Sequence, residues 1–381
     1  MTKIKKVWVI LTIVCTINSN AGFCATENSF SLRPQMLFSD PFKKSTEQRE
    51  ALIRTIKKDV LELGYAEEVA DIVANFFLSM QYENGNYVLL TLKSLIDEYK
   101  NQPTGGEFSE LEVDLIIDLV NPILQLIKPE DDNTKNWDLS EIIKNRKATC
   151  IGYTQLFYIL ASAIGFEVLP AEAQLKTEDP KEIWHYFSFI KLSDGRYLIA
   201  DLVNRRLSKP FLFNERFQKK EDYWIPKKTG PATQDYNSYY WIRTGDKRSL
   251  SAAVYYQRGH LPGDRNMRSR FFMLQEAYRL DPLSIAVNSN LGDYYMASQD
   301  TKKAIQHFTY AIELMPESCS EIFLAELFLK RGVSYMLMGI AKEAQEDIKI
   351  AEKLDPRNIG KAERLFSRLE QAGFRQLRRS L

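Results

Sequence analysis

Cys150, His185 and Asp201 fall within one stretch of the chain and together form the set of groups that thiol catalysis requires. A cysteine becomes a strong nucleophile when it is held as thiolate, and the unpaired N–H groups and dipole of a helix N-terminus favour that form. Cys150 stands where an apolar helix should begin. Lys144, Arg146 and Lys147 precede it, and Gly152 allows close approach of a substrate chain or of a neighbouring strand. The other reading of Cys150 is a small buried hydrophobe, the usual role of a free cysteine. The base must come from three histidines. His307 falls inside a helical signature and His260 in a loop with Gly259 and Pro262, which leaves His185 at the start of a strand. The turn Ser193-Asp194-Gly195 folds the strand His185 to Leu192 onto the strand Arg196 to Val203. That hairpin brings His185 and Asp201 side by side, where a carboxylate can accept the second imidazole N–H and stabilise the imidazolium. The backbone N–H of Cys150 is the default oxyanion donor, and the second donor has no sequence signal.

The elements that must position these residues are legible from periodicity. A short helix, Leu139 to Asn145, leads to Cys150. Tyr153, Leu156, Phe157, Leu160, Ala161 and Ile164 then mark an apolar helix ended by Gly165, with a strand from Phe166 to Leu169. Upstream, 45–127 reads as helical: Ser45 and Gln48 make a capping box, Gly64 ends the first helix, and Pro122 kinks or breaks the last. The acidic run Glu130, Asp131 and Asp132 lacks the spacing of a calcium loop. Trp184 either shields the base from water or fills the sheet's core. The aromatic residues Tyr223, Trp224, Tyr236, Tyr239, Tyr240 and Trp241 either line a groove or anchor a long loop, with anchoring the favoured reading.

From about Ser249 the chain is helical and internally repetitive. Leu291, Gly292, Tyr295, Ala304, Phe308, Ala311 and Pro316 have the spacing of a tetratricopeptide repeat, which the segment strongly resembles, with Asn288 where an aromatic is expected. Gly332, Tyr335, Ala344, Ile348, Ala351 and Pro356 form a second copy in which Arg331 replaces the leucine. Ala277, Asp281 and Pro282 look like the end of an earlier one. Such helix pairs must stack to bury their apolar faces, so 249–381 is expected to be a small solenoid with a capping helix from Lys361 to Leu377. Its concave face would hold a protein partner, or the array would only pack on the middle domain.

The run Arg146-Lys147-Ala148-Thr149-Cys150-Ile151-Gly152-Tyr153, followed by His185-Tyr186-Phe187 and by Tyr197 four residues before Asp201, resembles the motifs of the transglutaminase-like superfamily. The resemblance implies a papain-like Cys-His-Asp site, with a helix packed on an antiparallel sheet, that hydrolyses or transfers amides through a thioester. Ala148, Phe187 and Leu202 stand where that family usually has glycine, tryptophan and proline, and none of them removes a reacting atom.

Length and composition frame this reading. The 381 residues are 45% apolar and 27% charged with a formal net charge of +1, which suits folded domains and gives no electrostatic case for nucleic acid. Lys3, Lys5 and Lys6 precede an apolar run, Val7 to Ile17, that is too short to span a bilayer. It reads as an export signal within 1–25, cleaved after Ala21 or else after Gly22 or Ala25, with no stable membrane span afterwards. Phe23 before Cys24 argues against a lipid anchor. Loss of Cys15 with the signal leaves Cys24, Cys150 and Cys319, an odd set for an oxidising compartment. The expectation is therefore an exported α+β protein, periplasmic or secreted. It comprises a helical region over 26–135, a transglutaminase-like domain over 136–248 and the repeats. It would act as a cysteine protease, amidohydrolase or acyltransferase on a protein or peptide, without metal or cofactor. The alternative is a non-catalytic interaction scaffold.

Overall fold

In the computed structural model, residues 41–100, 108–130, 135–176, 184–227, 238–260 and 267–380 are described. The expected signal, Cys24, Asp131, Asp132, Tyr236 and Pro262 lie outside them, as does the segment with Pro103, Gly105 and Gly106, whose residue types read as a loop within the helical region. The chain begins with α1 (Pro41–Glu62), α2 (Glu67–Leu78), α3 (Val88–Lys100) and α4 (Phe108–Leu126). The first helix already includes Ser45, so that residue does not cap it, and α4 continues through Pro122 rather than breaking there. Leu52, Ile56 and Val60 of α1, Val73 and Phe77 of α2, Leu92 of α3 and Leu119 and Ile123 of α4 are buried in one core.

A two-residue strand β1 (Lys128–Pro129) precedes α5 (Leu139–Asn145), which Asp138 caps by accepting from the Ser140 N–H at 3.0 Å. Arg146 closes α5 in the left-handed region (φ 57°), and β2 (Lys147–Ala148) then pairs in parallel with β1. Next comes α6 (Cys150–Ile164), apolar nearly all round because it is the central element of that same core. Gly165, at φ 111°, supplies the left-handed stop expected of it.

The sheet is built from β3 (Glu167–Leu175), β4 (Trp184–Lys191), β5 (Tyr197–Asp201) and β6 (Arg206–Leu207). It is completed, after the short α7 (Phe213–Arg216), by β7 (Phe217–Lys220), β8 (Tyr223–Pro226) and β9 (Tyr239–Thr244). The spatial order is β6-β5-β4-β3-β9-β8-β7 and every pairing is antiparallel. The aromatic residues read as loop anchors are therefore strand residues: Tyr223 and Trp224 lie on β8, and Tyr239, Tyr240 and Trp241 on β9. Alternation along each strand divides the sheet into two faces. On β4, Tyr186 and Ile190 join the core of α6, while Phe187 and Phe189 join a second core with Phe211, Phe217 and Ile242.

The rest is helical: α8 (Lys247–His260), α9 (Met267–Leu280), α10 (Ile285–Ala297), α11 (Thr301–Glu313), α12 (Glu321–Leu337), α13 (Ala341–Leu354) and α14 (Lys361–Ser380). His260 thus ends a helix instead of lying in a loop. The repeats are helical hairpins, α10 with α11 and α12 with α13. Their signature residues explain the packing, since a Cβ on Gly292 would sit 2.5 Å from the Phe308 ring and one on Gly332 3.0 Å from Ile348. Arg331, which replaces the leucine, makes a two-pronged pair with Asp347 at 2.7 and 2.8 Å. Asn288, which replaces the aromatic, shares a hydrogen bond with His307 at 3.0 Å. Among the described residues no helix is long and apolar enough to cross a membrane.

Candidate active site

The first turn of α6 is held by its neighbours rather than by a cap. Thr149 adopts N-cap geometry but its side chain makes no capping bond, and its buried hydroxyl has no partner among the described residues. Its backbone N–H donates to Asn136 O at 3.0 Å. A Cβ on Gly152 would lie 2.7 Å from the Asn136 carbonyl and 2.8 Å from Ile142, so the glycine serves close packing of protein against protein. Deeper in, the Tyr65 hydroxyl donates to Gln155 Oε1 at 2.7 Å and Gln155 Nε2 donates to Trp137 O at 2.8 Å, tying the turn between α1 and α2 to α6. The cations preceding Cys150 are engaged elsewhere: Lys147 bonds Glu130 at 2.9 Å, Lys144 lies 3.7 Å from Glu141, and Arg146 sits over the Phe76 ring. The positive potential at Cys150 is thus chiefly that of the helix N-terminus.

His185 and Asp201 come together on the other side of β4. Ser188 pairs with Ala200, so continuing the register sets Asp201 opposite Phe187 and His185 diagonal to it on the same face. His185 Nε2 lies 3.0 Å from Asp201 Oδ2. At that distance the contact does not meet the geometry of a good hydrogen bond. Both side chains are buried, at 6% and 2% exposure. Asn204 Nδ2 donates to Asp201 Oδ2 at 2.9 Å. Burial pushes the Asp201 carboxyl up, but the His185 ring and Asn204 outweigh it and hold the group below its ordinary value. The imidazole lies nearly parallel to Tyr239, with 6.2 Å between ring centres, and beside Phe187. Trp184 points the opposite way and packs on Trp241 and on Phe323 of α12, so it docks the helical repeats onto the sheet and does not cover the base.

The structure thus brings His185 and Asp201 together. Cys150, 5% exposed, shares a core with Tyr186 and Leu202, the residues that follow His185 and Asp201 in the chain. Cys150 also lies within electrostatic reach of Tyr186, the residue next to His185 on β4. Nε2 is the ring nitrogen that lies against Asp201, so Nδ1 is the one on the side away from the carboxylate.

Sequence reasoning missed Glu172 and Arg243, buried on β3 and β9 with an Nε to Oε1 distance of 2.7 Å. The signal was present: each is a charged residue flanked by apolar neighbours within its strand.

No family model and no curated protein matches this chain. Among solved structures, the chain is similar to the N-terminal domain of stress-induced protein-1 (STI-1) from C. elegans. The identity is 16% over 32% of this chain and 98% of that one, with a TM-score of 0.29.

Proposed function

We propose that this protein is a thiol enzyme of transglutaminase-like type that acts on an amide of a protein or peptide. The observation that carries the reading is the buried His185–Asp201 pair, held at 3.0 Å next to Tyr186, which lies within electrostatic reach of Cys150. In this reading the Cys150 sulfur attacks the carbonyl carbon while His185 Nδ1 takes the thiol proton. The same nitrogen then delivers a proton to the leaving amine as the C–N bond breaks, and Asp201 keeps the imidazolium oriented. The thioester passes to water in a hydrolase or to a second amine in a transferase. These steps balance without a metal or organic cofactor. The chemistry requires a Cys150–His185 contact in the complex with substrate, where catalytic hydrogen bonds of this kind commonly tighten.

The helical hairpins are read as tetratricopeptide repeats on the packing of Gly292 against Phe308 and Gly332 against Ile348. Their engagement by the sheet, through Trp184–Phe323 and the Ser320 N–H donating to Gln174 Oε1 at 2.7 Å, favours bracing of the middle domain over a wholly free partner groove. A scaffold without catalysis is the second reading, in the same exported setting. The two separate on site-resolved alkylation of the full chain by iodoacetamide near neutral pH. Fast labelling of Cys150 that falls in His185→Ala supports the enzyme. Slow labelling indifferent to that change leaves the scaffold.

A further inference from the structure

The face of the sheet that receives α6 carries a row of polar side chains that the chemistry above leaves unused. Glu172 on β3 is the direct cross-strand partner of Tyr186 on β4 and of Arg243 on β9, so the three stand in line across the sheet on one face. Arg243 Nε donates to Glu172 at 2.7 Å, and its terminal nitrogens donate to both carboxylate oxygens of Asp281 at 3.0 and 2.5 Å. Asp281 lies between α9 and α10, so the row ends in the helical repeats. All four residues are between 7% and 9% exposed. A cavity of about 20 Å³ touches Glu172, Tyr186 and Arg243, and an open one of about 430 Å³ touches Arg243 and Asp281. At the other end, Tyr186 shares the core of Cys150 and lies within its electrostatic reach.

We propose that Tyr186, Glu172, Arg243 and Asp281 form a positioning array for Cys150, by which the docking of the repeats onto the sheet sets the ionisation of the thiol. The proposal rests on the thiol-enzyme reading. With both carboxylates ionised, the two of them and one guanidinium leave the row one negative charge in excess, and residues so little exposed screen it less than surface charges would. That field favours the neutral thiol until His185 takes its proton, so the nucleophile forms only against the base. Burial pushes the Glu172 carboxyl up and Arg243 opposes that, so the charge of Glu172 depends on Arg243 staying in place, and Asp281 is what holds Arg243. A buried ion pair is weak evidence of stabilisation by itself, so a row built of one and anchored across two parts of the fold calls for another role. The other titratable and charged groups around this end of α6 are Tyr153 on α6, Arg205 after β5, His185 and Asp201 across the strand, Tyr256 on α8, and the paired Lys147–Glu130 and Lys144–Glu141. Each stays unchanged in the variants below.

The test is the pH profile of Cys150 alkylation by iodoacetamide in the full chain, read by peptide mass spectrometry, with thermal unfolding as the check on folding. Asp281→Asn and Glu172→Gln each remove one carboxylate while keeping size, and each is expected to move the midpoint down by about half a pH unit. Asp347→Asn, which removes a carboxylate far along the repeats, is expected to leave it in place. In the Tyr186→Phe background the Asp281→Asn shift is expected to shrink by about half. Should Asp281→Asn not fold, Glu172→Gln carries the test alone. A reactive Cys150 whose profile is the same in parent, Asp281→Asn and Glu172→Gln overturns the array and leaves the enzyme reading standing. An undiminished shift in Tyr186→Phe removes Tyr186 from the array. A Cys150 that stays inert in the parent overturns both.

Discussion

Replacing Asp201 by asparagine isolates what the carboxylate does for His185, because the side chain keeps its size and the Asn204 contact while losing its charge. At 3.0 Å and an effective dielectric of about 20, the bare attraction to an imidazolium would be about 5 kcal/mol, a ceiling before desolvation is counted. Charge-assisted hydrogen bonds measured by mutation contribute about 1.5–3 kcal/mol. Because the contact does not meet the geometry of a good hydrogen bond, it falls in the lower part of that range, at about 1.5–2 kcal/mol. Each 1.36 kcal/mol is tenfold, so the population of the thiolate–imidazolium state, and the alkylation rate that follows it, should fall about 10–30-fold in Asp201→Asn. The assay is the pseudo-first-order rate of Cys150 labelling by iodoacetamide near neutral pH in the parent, Asp201→Asn, His185→Ala and the double variant. Because Asp201 acts through the ring, the double variant should be no slower than His185→Ala alone. A parent-like rate in Asp201→Asn, or losses that multiply in the double variant, would refute the assignment.

Three further outcomes follow from the packing and the charges. Gly292→Ala places a methyl 2.5 Å from the Phe308 ring and should lower stability by about 1–3 kcal/mol in denaturant titration, whereas Gly332→Ala, at 3.0 Å from Ile348, should be near neutral because the helix-propensity gain of about 1 kcal/mol offsets milder crowding. Asp347→Ala leaves Arg331 half-buried without its two-pronged partner and should lower stability by about 2 kcal/mol, most of which Arg331→Leu with Asp347→Leu should recover; no recovery would mean that the pair itself stabilises. Burial pushes the Cys319 thiol up to about 11, so its thiolate is scarce at neutral pH and alkylation of Cys319 in the folded chain should rise only as pH approaches that value, while fast labelling at neutral pH would contradict its burial.

Periodicity alone set out most of the helices. The stripe from Tyr153 to Ile164 with Gly165 behind it, and the glycine and alanine spacing of the repeats, are local patterns that steric packing makes nearly compulsory. His185 was isolated by elimination among three histidines, and the Asp194-Gly195 turn predicted the hairpin that carries Asp201. Other features depend on residues far apart in the chain. Alternation along β4 turns His185 away from the body of α6 and Tyr186 toward it, and no window of sequence shows which face a helix will cover. The aromatic run on β8 and β9 resembled a loop because strand pairing, not its own composition, makes it a sheet. Glu172 and Arg243 looked like ordinary charges, and Asp281 like the end of a repeat, until β3, β9 and the turn between α9 and α10 met. Residue types and spacing determined which groups were available for chemistry, whereas only the tertiary structure decided which of them share a dry space, because burial and cross-strand register belong to the assembled sheet and not to any one segment.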